Sequence, residues 1–383
     1  MKHYIYFDNA ATTLPKPECV RRAVSSALDT CGNPGRSAHV PSLFAAERVY
    51  DCRKALCRLF GTDAPERVIF TGSATLALNM AIKGYAKDGS HILISNLEHN
   101  AVIRPVHALS LANRGITYDF FDATGTDEEI VEAFENGLHP DTAFAAVTLA
   151  SNVSGRVLPV RKIAAVCKKR GILLVCDVSQ AAGALPVNAS TLGADVLCFA
   201  GHKSLYGPPG TGGMLIMTDV LPKTVIEGGS GIMSASRTME GGLPEYLEAG
   251  TLAVPSITGL CAAVGYLSRL GIGEIAGRDK VLIDALTDRL ESIRGVTLYG
   301  VDAKRTATIA FNVDGVDSEQ TASLLGARGM CVRGGMHCAP MAHDAYHTGE
   351  GGAVRASLTF TNTLSEIDAF ASAVADIAGR ARQ

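Results

Sequence analysis

Two residues of this chain have the type and the setting for chemistry on a carbonyl. Lys203 follows the apolar run Ala194-Asp195-Val196-Leu197-Cys198-Phe199 through Ala200-Gly201-His202, and Tyr206-Gly207-Pro208-Pro209-Gly210 comes after it. The run reads as a buried strand, and the glycine- and proline-rich turn places the lysine at its end. An amine in a partly desolvated site loses its proton more readily and becomes nucleophilic. Upstream, Gly171-Ile172-Leu173-Leu174-Val175-Cys176-Asp177 reads as a second buried strand, ending in a carboxylate. Pyridoxal phosphate needs both groups: a lysine for its aldehyde and an acid for its pyridine nitrogen. Taken singly, Lys203 fits a surface lysine and Asp177 a helix cap. At two strand ends together, they favour the cofactor.

Other segments supply weaker pieces. Thr71-Gly72-Ser73-Ala74-Thr75 is a strand-to-helix turn that suits a phosphate, or an ordinary capped helix. Glu98-His99 follows a strand ending at Ser95, where an imidazole can stack on a ring or simply sit in a loop. Ser151-Asn152-Val153-Ser154-Gly155 offers polar groups at the ligand edge of a sheet, or a polar turn.

These pieces need elements to hold them. Strand-like segments at 67–71, 91–95, 116–121, 143–149 and 171–177 alternate with helix-like segments at 74–86, 100–113, 126–136 and 159–170. That alternation predicts an α/β fold with a mostly parallel sheet covered by helices, whose ligands bind beyond the carboxyl ends of the strands. A glycine-rich loop follows Leu221, then long helices at 255–270 and 273–293, then shorter elements from Val296. The expected division is a large domain at 15–255 and a smaller α/β domain made of 1–14 and 256–383. The packing of the first 30 residues is open. No internal repeat is present.

Composition removes several classes. With 383 residues, 47% hydrophobic and 19% charged, the chain can fill two cores and is not disordered. A net charge of −3 without a basic tract argues against nucleic acid and anionic membranes as partners. No apolar stretch approaches the roughly 20 residues that span a bilayer, and the first eight residues lack a signal-peptide core. Ten cysteines follow no framework. Cys57, Cys167, Cys176, Cys198 and Cys261 lie in apolar patterns, as buried thiols of a reduced compartment do, which points to the cytoplasm.

Seven segments, in order, carry a resemblance. They are Asp8-Asn9-Ala10-Ala11-Thr12-Thr13, Glu98-His99, Ser151-Asn152-Val153-Ser154-Gly155, Asp177-Val178-Ser179-Gln180, Gly201-His202-Lys203, Glu248-Ala249-Gly250-Thr251 and Arg355-Ala356-Ser357-Leu358 with Asn362-Thr363. Together they resemble the fold-type I pyridoxal phosphate enzymes of the class V aminotransferase family, in particular the cysteine desulfurases. The resemblance implies that Lys203 binds the cofactor aldehyde, Asp177 its ring nitrogen and Gln180 its ring oxygen. His99 would stack on the ring and Asn152 touch it, with Thr75 and His202 on the phosphate. Thr251 would reach the site of a second subunit, so a homodimer is implied. Arg355 would take the substrate carboxylate, and a buried guanidinium without a partner of its own would await that group.

Cys338, in Arg333-Gly334-Gly335-Met336-His337-Cys338-Ala339-Pro340, is the candidate sulfur acceptor. Gly-Gly before it and His-rich polar sequence after it argue for exposure, and His337 is expected to favour its thiolate. Only 17 residues separate it from Arg355, which resembles the compact lobe of group II desulfurases. The implied reaction converts L-cysteine to L-alanine and leaves a persulfide on Cys338 for an acceptor protein. The alternatives are a selenocysteine lyase acting on L-selenocysteine, another class V lyase or aminotransferase, and a non-catalytic sulfur carrier. A rival reading makes His337, Cys338, His343 and His347 a zinc set, with His343 and His347 one helical turn apart. Otherwise these histidines face the substrate mouth or solvent. Departures from the family pattern are Ala200, Ala74, the extra Ser204, and Met336 where a second histidine is common.

Overall fold

The apolar runs ending at Ser95, Thr148, Asp177 and Ala200 are strands buried on both faces, as a helix-covered parallel sheet requires. The computed structural model describes residues 4–35 and 37–382. Strand β1 (Ile5–Tyr6) precedes helices α1 (Glu18–Thr30) and α2 (Val40–Phe60). Then come β2 (Val68–Thr71), α3 (Ala74–Tyr85), β3 (His91–Ser95), α4 (Asn100–Ser110), β4 (Thr117–Phe121) and α5 (Asp127–Asn136). The alternation continues through β5 (Thr142–Thr148), α6 (Val160–Arg170), β6 (Leu173–Asp177), the short α7 (Ala189–Leu192), β7 (Val196–Ala200) and β8 (Gly212–Ile216). Helices α8 (Val254–Leu270) and α9 (Ile272–Glu291) lead to β9 (Val296–Tyr299), β10 (Thr308–Val313), α10 (Ser318–Ala327) and β11 (Met330–Cys331). Last are α11 (Pro340–Ala345), β12 (Val354–Ser357) and α12 (Leu364–Ala381).

The large sheet has the order β2-β8-β7-β6-β5-β3-β4. Strands β4, β3, β5, β6 and β7 pair in parallel, while β8 runs against both β7 and β2. Gly212-Gly213, a pair that by type suits a turn, open β8, because the sheet needs bare backbone there: a Cβ on Gly212 would lie 2.4 Å from the Ser73 carbonyl carbon. Gly212 thus lets β8 press against the start of α3, one wall of the site below. Ser73 caps that helix by accepting from the Leu76 N–H at 3.2 Å.

The smaller sheet, β12-β10-β9, is antiparallel and buries Phe311 with Leu286 of α9 and Phe370 of α12. β1 pairs with β11 on this side, whereas α1 lies against α8. The first 30 residues therefore serve both lobes. Leu260, Val264 and Leu267 of α8 join the core of the large sheet, which continues past residue 255 along that helix. Between β8 and α8, residues 217–253 form turns and bends without regular helix or strand.

Candidate active site

A cavity of about 200 Å³ lies beyond the carboxyl ends of β5, β6 and β7, against the amino end of α3. Thr75, His99, Asn152, Asp177, Gln180, His202 and Lys203 all line it. A space of about 310 Å³ adjoins it, shares His99, Asn152, Gln180 and Lys203, and adds Arg333, His337, Cys338 and Arg355. The residues singled out in the sequence converge here with one exception. Thr251 lines a different cavity, of about 210 Å³, together with Gly72 and Gly212.

The floor is built from strand ends. Asp177 closes β6, buried, and its Oδ1 accepts from the Ser179 N–H at 2.9 Å. The Ser179 hydroxyl beside it is buried without a partner. Lys203 stands just past β7. Burial lowers its amine to about 8, although the Asp177 charge pulls the other way. His99 caps α4, and its Nδ1 accepts from the Ala101 N–H at 2.9 Å, so its proton sits on Nε2. Burial, then the Lys203 charge, lower this imidazole to about 4, and it is neutral at physiological pH.

Glu98 received no role from the sequence. It is fully buried, and its Oε1 accepts from the Ser95 hydroxyl and from the Thr148 N–H at 2.7 Å. It thereby joins the ends of β3 and β5 under His99. Burial pushes its carboxyl up to about 8, so it is protonated at neutral pH, and Oε2 has no partner. The other unforeseen support is the amino-terminal clasp. Thr12 Oγ1 (3.0 Å) and Lys16 Nζ (2.6 Å) both donate to the His202 carbonyl, and Gln180 Nε2 donates to the Ala10 carbonyl at 3.1 Å. His202 Nδ1 is 3.2 Å from Thr12 Oγ1, and burial lowers the ring to about 4.

The Cys338 lobe meets one expectation and departs from another. Cys338 is exposed, as anticipated. His337, however, does not supply a charge to its thiol. It is buried and stacked with His343 at 5.2 Å between centroids, and burial lowers it to about 3. Its Nε2 donates to the Arg333 carbonyl at 3.1 Å, which leaves Nδ1 to accept from His343 Nε2–H at 3.1 Å. The zinc reading fails for the same reason. His343 is buried at 1% exposure and bonded to Thr348 Oγ1 at 2.9 Å, and His347 lies outside α11. Among the described residues these four do not gather three ligand atoms. His343 is thus an internal strut away from the mouth, whereas His337 lines the space beside Cys338 but has both ring nitrogens engaged within the lobe. His337 and Cys338 both adopt left-handed backbone, at φ 49° and 56°. Such strain costs on the order of 1–3 kcal/mol per residue. It is held by Asn152 Nδ2 donating to the His337 carbonyl (2.8 Å) and the Asn100 N–H donating to that of Cys338 (2.7 Å).

Arg355 is not unpaired. Its Nη2 donates to Asp8 Oδ1 at 3.0 Å and its Nη1 to the Asn152 carbonyl at 3.0 Å, while Nε is buried without a partner. Arg333 Nη2 meets the other oxygen of Asp8 at 3.0 Å. One carboxylate therefore stands against two guanidinium groups at the rim, which leaves a net positive charge there.

The whole chain has relatives. It matches the family described as Aminotransferase class-V over residues 5–370. The chain belongs to that family. It is 34% identical to a probable cysteine desulfurase of Xylella fastidiosa strain Temecula1, over 97% of this chain and 90% of that one. It is 32% identical to a probable cysteine desulfurase of Mycolicibacterium paratuberculosis over 98% of its length, yet spans only 56% of that longer protein. Among solved structures, an apo cysteine desulfurase from Thermococcus onnurineus NA1 superposes with a TM-score of 0.89 at 29% identity, covering 98% of this chain and 95% of the other. Class V aminotransferases use pyridoxal phosphate, and the donor set fits that group. An amine and a carboxylate end adjacent strands, the amino end of α3 faces the cavity, and the Ser179 hydroxyl awaits a partner.

Proposed function

We propose that the protein is a pyridoxal phosphate-dependent cysteine desulfurase that takes sulfur from L-cysteine onto Cys338. The observation that carries this reading is the shared space: an exposed thiol, the Lys203 amine and the Arg355 guanidinium line one cavity. An aminotransferase has no use for that thiol.

Lys203, Asp177, Gln180, Thr75 and His202 would hold the cofactor, and His99 would lie on its ring. Bound there, pyridoxal phosphate supplies the electron-withdrawing ring that acidifies the Cα–H of an amino acid. Asp177 would hold the ring nitrogen and favour its protonated form. The Lys203 amine, unprotonated above about pH 8, accepts the Cα proton. Arg355 orients the substrate carboxylate by its planar fork. Asn152 ties Arg355 to the Cys338 lobe through its own carbonyl and amide. Cys338 Sγ, as thiolate, bonds to the substrate sulfur. The Cβ–S bond breaks, its electron pair stays with carbon, and a proton added at Cβ together with the return of the Lys203 proton to Cα completes alanine. The sulfur remains on Cys338 as a persulfide for an acceptor.

The same reading makes the enzyme a homodimer, with Thr251 completing the partner's phosphate site. The ten free cysteines support a reducing, cytoplasmic setting. No helix among the described residues is long and apolar enough to cross a membrane.

The test gives purified protein L-cysteine or L-selenocysteine and quantifies alanine, sulfide and selenide. Mass spectrometry should find one added sulfur on the Cys338 peptide, and Cys338→Ala should lose nearly all alanine formation from L-cysteine. Wild-type rates in Cys338→Ala would leave a lyase that does not need the thiol, and turnover of L-selenocysteine alone would leave a selenocysteine lyase.

A further inference from the structure

A second cluster of ligand-type side chains lies at the far end of the same sheet. His91 opens β3 at its amino end, opposite to the carboxyl ends that carry the site above. Asp119 is in the edge strand β4, and His139 lies in the turn before β5. The β3–β5 pairing shifts register between His91 and Ile92, which sets His91 opposite Thr142. Irregularities of this kind re-aim side chains.

His91 is fully buried, and its Nε2 has no hydrogen-bond partner. That nitrogen lies 3.3 Å from Asp119 Oδ2, and His139 Nε2 lies 3.4 Å from the same oxygen. Three ligand atoms, one from each residue, are within 4.8 Å of one another. Donors bound at about 2.0–2.2 Å in tetrahedral array stand roughly 3.3–3.6 Å apart. The two measured separations match that edge length. The other nitrogen of His91, Nδ1, lies 2.8 Å from Thr142 Oγ1. That hydroxyl also accepts from the His139 N–H at 2.8 Å, so it fixes the His91 ring and the His139 turn together, as second bonds do for ligating histidines; metal binding takes the tautomer with the lone pair on Nε2.

We propose that His91, Asp119 and His139 form a site for a borderline divalent cation of the zinc type, clamping the edge strand β4 to β3 and to the start of β5. Water completes the fourth position on the exposed side. The His91 and His139 rings are now stacked, with centroids 4.0 Å apart and planes 18° from parallel. Two in-plane lone pairs converge on one ion only if the planes open. His139, with a side chain 47% exposed, is the one that turns.

Zinc alone, titrated into the holoenzyme by calorimetry, tests this, with cobalt absorption to report coordination. Wild type should take up one equivalent and gain thermal stability. His139→Ala and Asp119→Asn, both at exposed positions, should weaken binding by about tenfold or more and lose the stability gain. Their turnover of L-cysteine without metal should be unchanged. No uptake by wild type overturns the proposal. So does equal affinity in wild type and both variants, which would place the ion on a thiol such as Cys338 or elsewhere.

Discussion

Lys203 and Arg355 show how a residue's setting decides its chemistry. Because burial lowers the Lys203 amine to about 8, a protonated lysine below that pH cannot accept the Cα proton. Turnover should therefore rise with pH up to about 8 and level above it. A kcat profile flat between pH 7 and 9 would contradict the assignment. Lys203→Ala should lose both the covalently held cofactor and all turnover. Arg355→Ala should keep the cofactor but raise the KM for L-cysteine by roughly ten- to a hundredfold, the worth of a charge-assisted pair. It would also leave the carboxylate of Asp8 facing Arg333 alone. Steady-state kinetics beside a cofactor spectrum separates the two effects. Lys203, Asp177 and Cys338 could be picked out in the sequence because each sits beside local punctuation, a strand end or a Gly-Gly pair. Asp8 as partner of Arg355 could not, since 347 positions separate them and only the fold joins them.

Elements here are coupled through buried titratable groups. Glu98 links the ends of β3 and β5, and its carboxyl titrates at about 8 against an ordinary value of 4.5. The folded state thus binds more protons than the unfolded state between those pH values, so stability falls as pH rises through that window. Glu98→Gln keeps an acceptor and cannot ionise. It should lose less stability than wild type between pH 5 and 8, by about 1–3 kcal/mol, as urea midpoints would show. Asp279, also held near 8, contributes equally to both proteins and cancels. The His337–His343 pair has the opposite sign. Both rings are lowered, to about 3 and 4, so the unfolded chain binds more protons below about 6.5, and the lobe weakens as pH falls. His343→Ala should cost about 1–3 kcal/mol and speed amide exchange across 333–352, leaving the large sheet protected. Protection unchanged in that segment would remove the strut. The sequence made these histidines look solvated because polar residues cluster there. Burial was invisible because the partners of each ring come from a turn that only folding closes.

At the scale of the whole molecule, the parallel sheet was legible because interior strands read as unbroken apolar runs. β8 was not, because its opening glycines signal a turn unless one knows that α3 presses against them. α1 and α2 are not legible either, since their helical pattern answers partly to α8, about 200 residues away. The position of Thr251 raises a question of the same kind, since it lies outside the cavity of its own Lys203. If Thr251 serves the partner's site, two defective chains should repair one another. Thr251→Asp puts a negative charge where the partner's phosphate would bind, and Lys203→Ala removes the amine. Each variant should be inactive or nearly so as a homodimer. In a mixed dimer, the Lys203-bearing chain receives an intact Thr251 from the Lys203→Ala chain, and one of two sites is complete. Unfolding and refolding an equal mixture should then restore activity, and isolated mixed dimers should reach about half the wild-type rate per dimer. If Thr251 instead acts within its own chain, every site in the mixture keeps one defect and nothing is restored. A monomeric mass for the fully active protein would refute shared sites before any mixing.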